Sequence, residues 1–125
     1  MPGDRPSKVL VFWKHNRTPP IESIVDTRAD HSIFHAQIAD RLGINVKKGV
    51  EWEFGGVSSG MKGTGYVHKV RLQVAGESYD TSLIFSYDIA LGGLLGQIGF
   101  FDHFTVTFDW TPDPPRFEVS RIARN

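Results

Sequence analysis

Asp26 and Thr27 close an apolar run, Ile24-Val25, and a second carboxylate, Asp30, follows shortly after. A carboxylate at the end of a buried strand is poorly placed for solvation, so it needs a partner or a use. A turn or capping role accounts for one such aspartate without chemistry, whereas acid–base work requires another carboxylate beside it. His31 and His35 are of the type that binds zinc when spaced four apart on a helix face. Yet His31 precedes the only helix legible here and no Glu completes an H-E-x-x-H pattern, so no metal site is expected. Asp102-His103 reads as a surface pair, and Ser32, Ser58 and Ser59 lack the strand-to-helix elbow of a serine nucleophile. There is no cysteine, which removes thiolate catalysis, disulfides and thiolate metal sites. The glycine-rich stretch 55–65 lacks a following Gly-Lys-Ser/Thr, so it is not a phosphate loop, and no cofactor is expected.

The elements that would position these residues are mostly strands. Thirteen glycines and seven prolines separate short β-branched and aromatic runs, the pattern of many turns joining many strands. Val9 to Trp13 reads as a strand, Arg17-Thr18-Pro19-Pro20 as the turn that ends it, and Ile21 to Asp26 as the next strand. Ala36, Ile38, Ala39 and Leu42 fall at helical spacing, with Ser32 available to cap and Gly43 to stop the helix. Val50, Trp52 and Phe54 alternate with Glu51 and Glu53, predicting a strand with one wet face. With Tyr66 to Val74 it forms a long hairpin around Gly55-Gly56-Val57-Ser58-Ser59-Gly60, and the segment 54–65 is expected to be the most mobile internal part of the chain. Trp52, Phe54 and Tyr66 are expected in the core. Gly76 marks a turn before a strand over Ser82 to Phe85. Leu91-Gly92-Gly93-Leu94-Leu95-Gly96 mixes small and apolar residues as if backbone must pack closely inside the protein. Phe100, Phe101 and Phe104 suit a helical turn, and further strands are predicted around Val106 and Phe108 and over Phe117 to Ile122.

Composition bounds the rest. A chain of 125 residues, 40% hydrophobic and 22% charged, is one ordinary domain, taken as 1–125 with its core over about 7–122. Fourteen basic residues balance fourteen acidic ones, which gives no electrostatic reason to expect nucleic acid or an anionic membrane as partner. The apolar run Val9 to Trp13 is too short to span a bilayer or serve as a signal peptide, and cytosol is the expected compartment.

The order of motifs resembles the retropepsin-like aspartic proteases, including their bacterial single-domain members. The resemblance rests on Ile24-Val25-Asp26-Thr27-Arg28-Ala29-Asp30, the helix ending Ala39-Asp40-Arg41-Leu42-Gly43-Ile44, the glycine-rich hairpin, and Leu94-Leu95-Gly96-Gln97-Ile98-Gly99-Phe100-Phe101-Asp102-His103-Phe104. It implies a mainly β, closed barrel with one helix and a flap hairpin over residues 53–66. Asp26 would then be catalytic, with Thr27 in an interchain hydrogen-bond grip. Arg28, Ala29, Asp30, Gly55, Gly56, Val57, Leu95 and Gly96 would bind substrate. A pepsin-like protein carries the aspartate motif twice, whereas this chain carries it once, so the resemblance implies a homodimer acting on an extended peptide. Two carboxylates about 3 Å apart share a proton, so one activates water as base while the other protonates the carbonyl as acid.

Two positions depart from the family pattern. Arg28 stands where the motif glycine is expected, and Gln97 stands where retroviral members place an arginine that pairs with the aspartate matching Asp30. Two arrangements are open. Arg28 can reach Asp26, where an opposite charge at about 4 Å in an effective dielectric of about 20 is worth at most roughly 4 kcal/mol and removes the general acid. Alternatively it can turn to Asp30 and replace the missing arginine, leaving Asp26 free. The first arrangement implies a non-cleaving peptide-binding or dimerisation module, the second an active aspartic endopeptidase.

Overall fold

The structure, a computed structural model, describes residues 5–55, 62–109 and 116–122, with side chains described for 8–55, 62–103 and 122. The strands are β1 (Arg5–Trp13), β2 (Asn16–Arg17), β3 (Ile21–Val25), β4 (Ile33–His35), β5 (Val50–Gly55), β6 (Lys62–Val74), β7 (Glu77–Ser86), β8 (Gly93–Leu95), β9 (Phe104–Asp109) and β10 (Arg116–Arg121). One α-helix, α1 (Ala36–Leu42), and a 3₁₀ turn (Val46–Lys48) lie between β4 and β5.

Six strands close a barrel in the order β1, β3, β8, β4, β7, β6, with β6 returning to β1 through pairs such as Val9 with Val74 and Val11 with Leu72. Closure removes sheet edges and encloses the inward members of each alternating run. Val9 and Val11, Leu72 and Val74, and Tyr79, Leu83 and Phe85 are buried there, together with Val25, Phe34, Leu95 and Phe100. A smaller cluster of Ile33, Ile84 and Ile89, with Phe54 and Val67 against it, lies under the hairpin. Two of the six pairings are parallel, β3 with β8 and β4 with β7, and the first brings Val25 opposite Leu95. Strands β9 and β10 pair antiparallel as a separate two-stranded sheet. No helix among the described residues is long and apolar enough to cross a membrane.

Several local expectations are corrected. The first reversal comes before Arg17: Lys14 takes φ 52° and Asn16–Arg17 already pairs back on Phe12 and Trp13. The helix is capped by His35, whose Nδ1 accepts from Gln37 N at 3.1 Å, and not by Ser32, because β4 separates Ser32 from the helix. Gly43 does end it, at φ 89°, with its N–H turned back to the last carbonyls. Phe100 and Phe101 sit in a turn, while Phe104 begins a strand. Trp52 is 42% exposed and Val50 70%, so β5 projects at the sheet margin and Trp52 is not core.

The hairpin of β5 and β6 runs in register from Val50 with Val67 to Gly55 with Lys62. Its outer half is held by side chains at and just past the end of β7: Thr64 N donates to Asp88 Oδ2 at 2.9 Å and Ser86 Oγ donates to Thr64 O at 2.6 Å. A Cβ on Gly65 would collide with Ile84 and with the Phe85 carbonyl, so this part of the hairpin lies close against β7. Gly56, Val57, Ser58, Ser59 and Gly60 lie outside the described residues.

Candidate active site

Strand β3 ends at Val25, and the next amide, Asp26 N, continues the ladder by donating to Leu95 O at 3.0 Å. The chain then turns, with Ala29 N donating to Asp26 O at 3.2 Å. From there it runs alongside the segment after β8. Gln97 N donates to Ala29 O (2.8 Å), Ile98 N to Asp30 O (2.9 Å) and Ser32 N to Ile98 O (2.9 Å). The two motifs, far apart in sequence, are thus one hydrogen-bonded unit.

Two residues make that close approach workable. A Cβ on Gly96 would lie 2.5 Å from His31 O and 2.6 Å from Ala29 O, distances no side chain tolerates, so only glycine lets the loop carrying Asp26 rest on β8. Ser32 is buried and its Oγ accepts from Gly96 N at 3.0 Å, satisfying an amide that the crossing would otherwise strand. Leu95 is fully buried in the main core and Gly96 is buried too. Within this chain these two hold the loop from behind. Gln97 Nε2 donates to Thr27 O at 2.8 Å, so the glutamine braces the loop through a neutral hydrogen bond.

Asp26 is half-buried and Arg28 stands over it. Arg28 N donates to Asp26 Oδ1 at 2.9 Å, an Asx turn, while Arg28 Nε donates to the same oxygen at 3.1 Å and Nη2 reaches Oδ2 at 3.5 Å. The guanidinium is turned to Asp26 and not to Asp30, which is the first of the two arrangements open in the sequence. The Arg28 side chain is 60% exposed and that of Asp26 20%. A cationic fork on a carboxylate favours its ionised, acceptor-only form, which suits a base and not an acid.

Thr27 and Asp30 are exposed and Ala29 is half-buried, so the loop presents 26–30 outward. Next to it, the His31 ring meets the Trp52 ring edge-on at 5.0 Å between centroids, which brings β5 over the Asp26 loop. Gly55, at φ 98°, ends β5. The contact between His31 and Trp52 and the role of Ser32 were not legible in sequence: short polar and aromatic residues at those spacings have many uses. His35 caps the helix, His103 Nε2 lies 3.1 Å from Thr81 Oγ1, and no group of three or more metal-ligating side chains occurs among the described residues.

No protein-family model matches the chain, and no curated protein matches it. Among solved structures it is similar to an EIAV protease complexed with the inhibitor HBY-793, at 21% sequence identity and a TM-score of 0.53, over 75% of this chain and 82% of that one. The likeness is one of fold: a retropepsin-like closed β barrel.

Proposed function

We propose that this chain forms a homodimer of the aspartic-peptidase type, in which two Asp26 loops meet across a two-fold axis beneath the β5–β6 hairpins and hold an extended peptide, and that Arg28 keeps the wild-type site from cleaving it. The fold, the single Asp26 motif and the bracing of its loop by Gly96 and Ser32 support the cleft. The observation that carries the second half is the contact of Arg28 Nε with Asp26 Oδ1 at 3.1 Å.

Hydrolysis by such a pair requires one proton shared between two carboxylates, so that water is deprotonated by one and the carbonyl oxygen protonated by the other. A guanidinium on each carboxylate lowers the repulsion between them and leaves both ionised near neutral pH. The pair then has a base and no acid. Arg28 also fills space beside Asp26 that a motif glycine leaves to the peptide backbone.

A second reading, cleavage by the wild type, is favoured by the exposure of Arg28, since a side chain this open to water can swing away when peptide enters. The two are separated by incubating an unstructured protein substrate with wild type, Arg28→Gly and the double variant Arg28→Gly/Asp26→Asn. The proposal expects cleavage in Arg28→Gly alone.

A further inference from the structure

With Arg28 committed to Asp26 and Gln97 neutral, no cation among the described residues pairs with the Asp30 carboxylate. Asp30 is exposed and is followed by His31, whose ring holds Trp52 edge-on at 5.0 Å. Trp52, on β5, is 42% exposed. The imidazole contact holds the indole in place while much of it stays open to solvent. Ile98, which bridges to His31 and is 52% exposed, adds an apolar wall. A part-exposed indole on the histidine that follows an exposed carboxylate, with no cation on that carboxylate among the described residues, is complementary to a long aliphatic side chain ending in a cation.

We propose that Trp52 and Asp30 form a subsite for a lysine or arginine side chain of the bound peptide, a reading that rests on the peptide cleft proposed above. The methylenes lie against Trp52 and Ile98, the cation stacks on the indole, and the Asp30 carboxylate accepts its hydrogen bonds. Glu51 and Glu53 point to the opposite face of β5 by strand alternation and take no part.

The test uses the full chain and fluorophore-labelled six-residue Ser/Val peptides in which one Arg, Lys, Glu or norleucine is walked through the positions, with affinity read by anisotropy. At one position Arg and Lys are expected to bind about tenfold tighter than norleucine, within the range of a partly desolvated cation–π contact with an ion pair. Asp30→Asn and Trp52→Leu each bring that ratio close to one, Trp52→Phe retains part of it, and Glu51→Gln, which removes the same charge from the other face, leaves it unchanged. Peptide binding with no cation preference, a preference for Glu, or an Arg preference that survives both Asp30→Asn and Trp52→Leu overturns the subsite while leaving the cleft intact. Failure of every peptide to bind overturns the cleft itself and the subsite with it.

Discussion

Arg28 grips Asp26 at both carboxylate oxygens, Nε to Oδ1 at 3.1 Å and Nη2 to Oδ2 at 3.5 Å, while its own backbone N–H already donates to Oδ1 at 2.9 Å. The Asx turn explains the choice between two nearby aspartates. Once the amide of residue 28 is tied to the carboxylate of residue 26, the side chain leaves the backbone beside that same carboxylate. Because the guanidinium is more than half exposed, water screens the pair and its strength falls well below the ceiling of about 4 kcal/mol for an effective dielectric of about 20.

That exposure sets the first expectation: Arg28 acts on chemistry and not on folding. Arg28→Ala should change the free energy of unfolding by no more than about 1 kcal/mol in urea titrations, as for other exposed ion pairs. A loss of about 3 kcal/mol or more would mean the pair is buried in the working assembly and structural.

The loop beneath it is held by contacts that tolerate little change. Gly96→Ala drives a methyl into the His31 and Ala29 carbonyls and should cost about 1–3 kcal/mol, as overpacking does. Ser32→Ala leaves the buried Gly96 amide without its acceptor and should cost a similar amount, about 1–3 kcal/mol. Chemical denaturation of the two variants checks both, and near-neutral effects would show that the loop carrying Asp26 does not depend on this crossing.

These supports were only partly legible in the sequence. The apolar run into Asp26, the helix stopped by Gly43, and the close backbone packing around Gly93 and Gly96 follow from local pattern, and the structure has them. The closure of the barrel does not: Val9 meets Val74, and Val25 meets Leu95, through pairings whose partners are remote in sequence. Strand β4 was missed because Ile33–His35 is three residues long and runs straight into a helical pattern. Local pattern offers Ser32 as a helix cap for the same reason, whereas its hydroxyl is needed inside. Alternation placed Trp52 on one face of β5 correctly but could not say that the face overlooks the Asp26 loop and solvent instead of the core.

A single Asp26 per chain makes assembly a separate expectation. Sedimentation equilibrium at tens of micromolar should give a dimer, and a nitroxide on Thr27→Cys, introduced into this cysteine-free chain, should report a second label close by across the axis. A monomer at all concentrations removes the paired carboxylates and with them any aspartic-peptidase chemistry.

The most direct test of the central claim is the pH profile of peptide-bond cleavage in wild type and Arg28→Gly, each with and without Asp26→Asn. If Arg28 holds Asp26 and fills the space beside it as proposed, the wild type is inert at neutral pH through the ion pair and at acid pH through the blocked site, and Arg28→Gly cleaves with an acid-side optimum, because only there do two adjacent carboxylates share one proton. Asp26→Asn abolishes that cleavage. Wild-type cleavage that Asp26→Asn removes would contradict the account, as would an Arg28→Gly protein that is folded, dimeric and still inert.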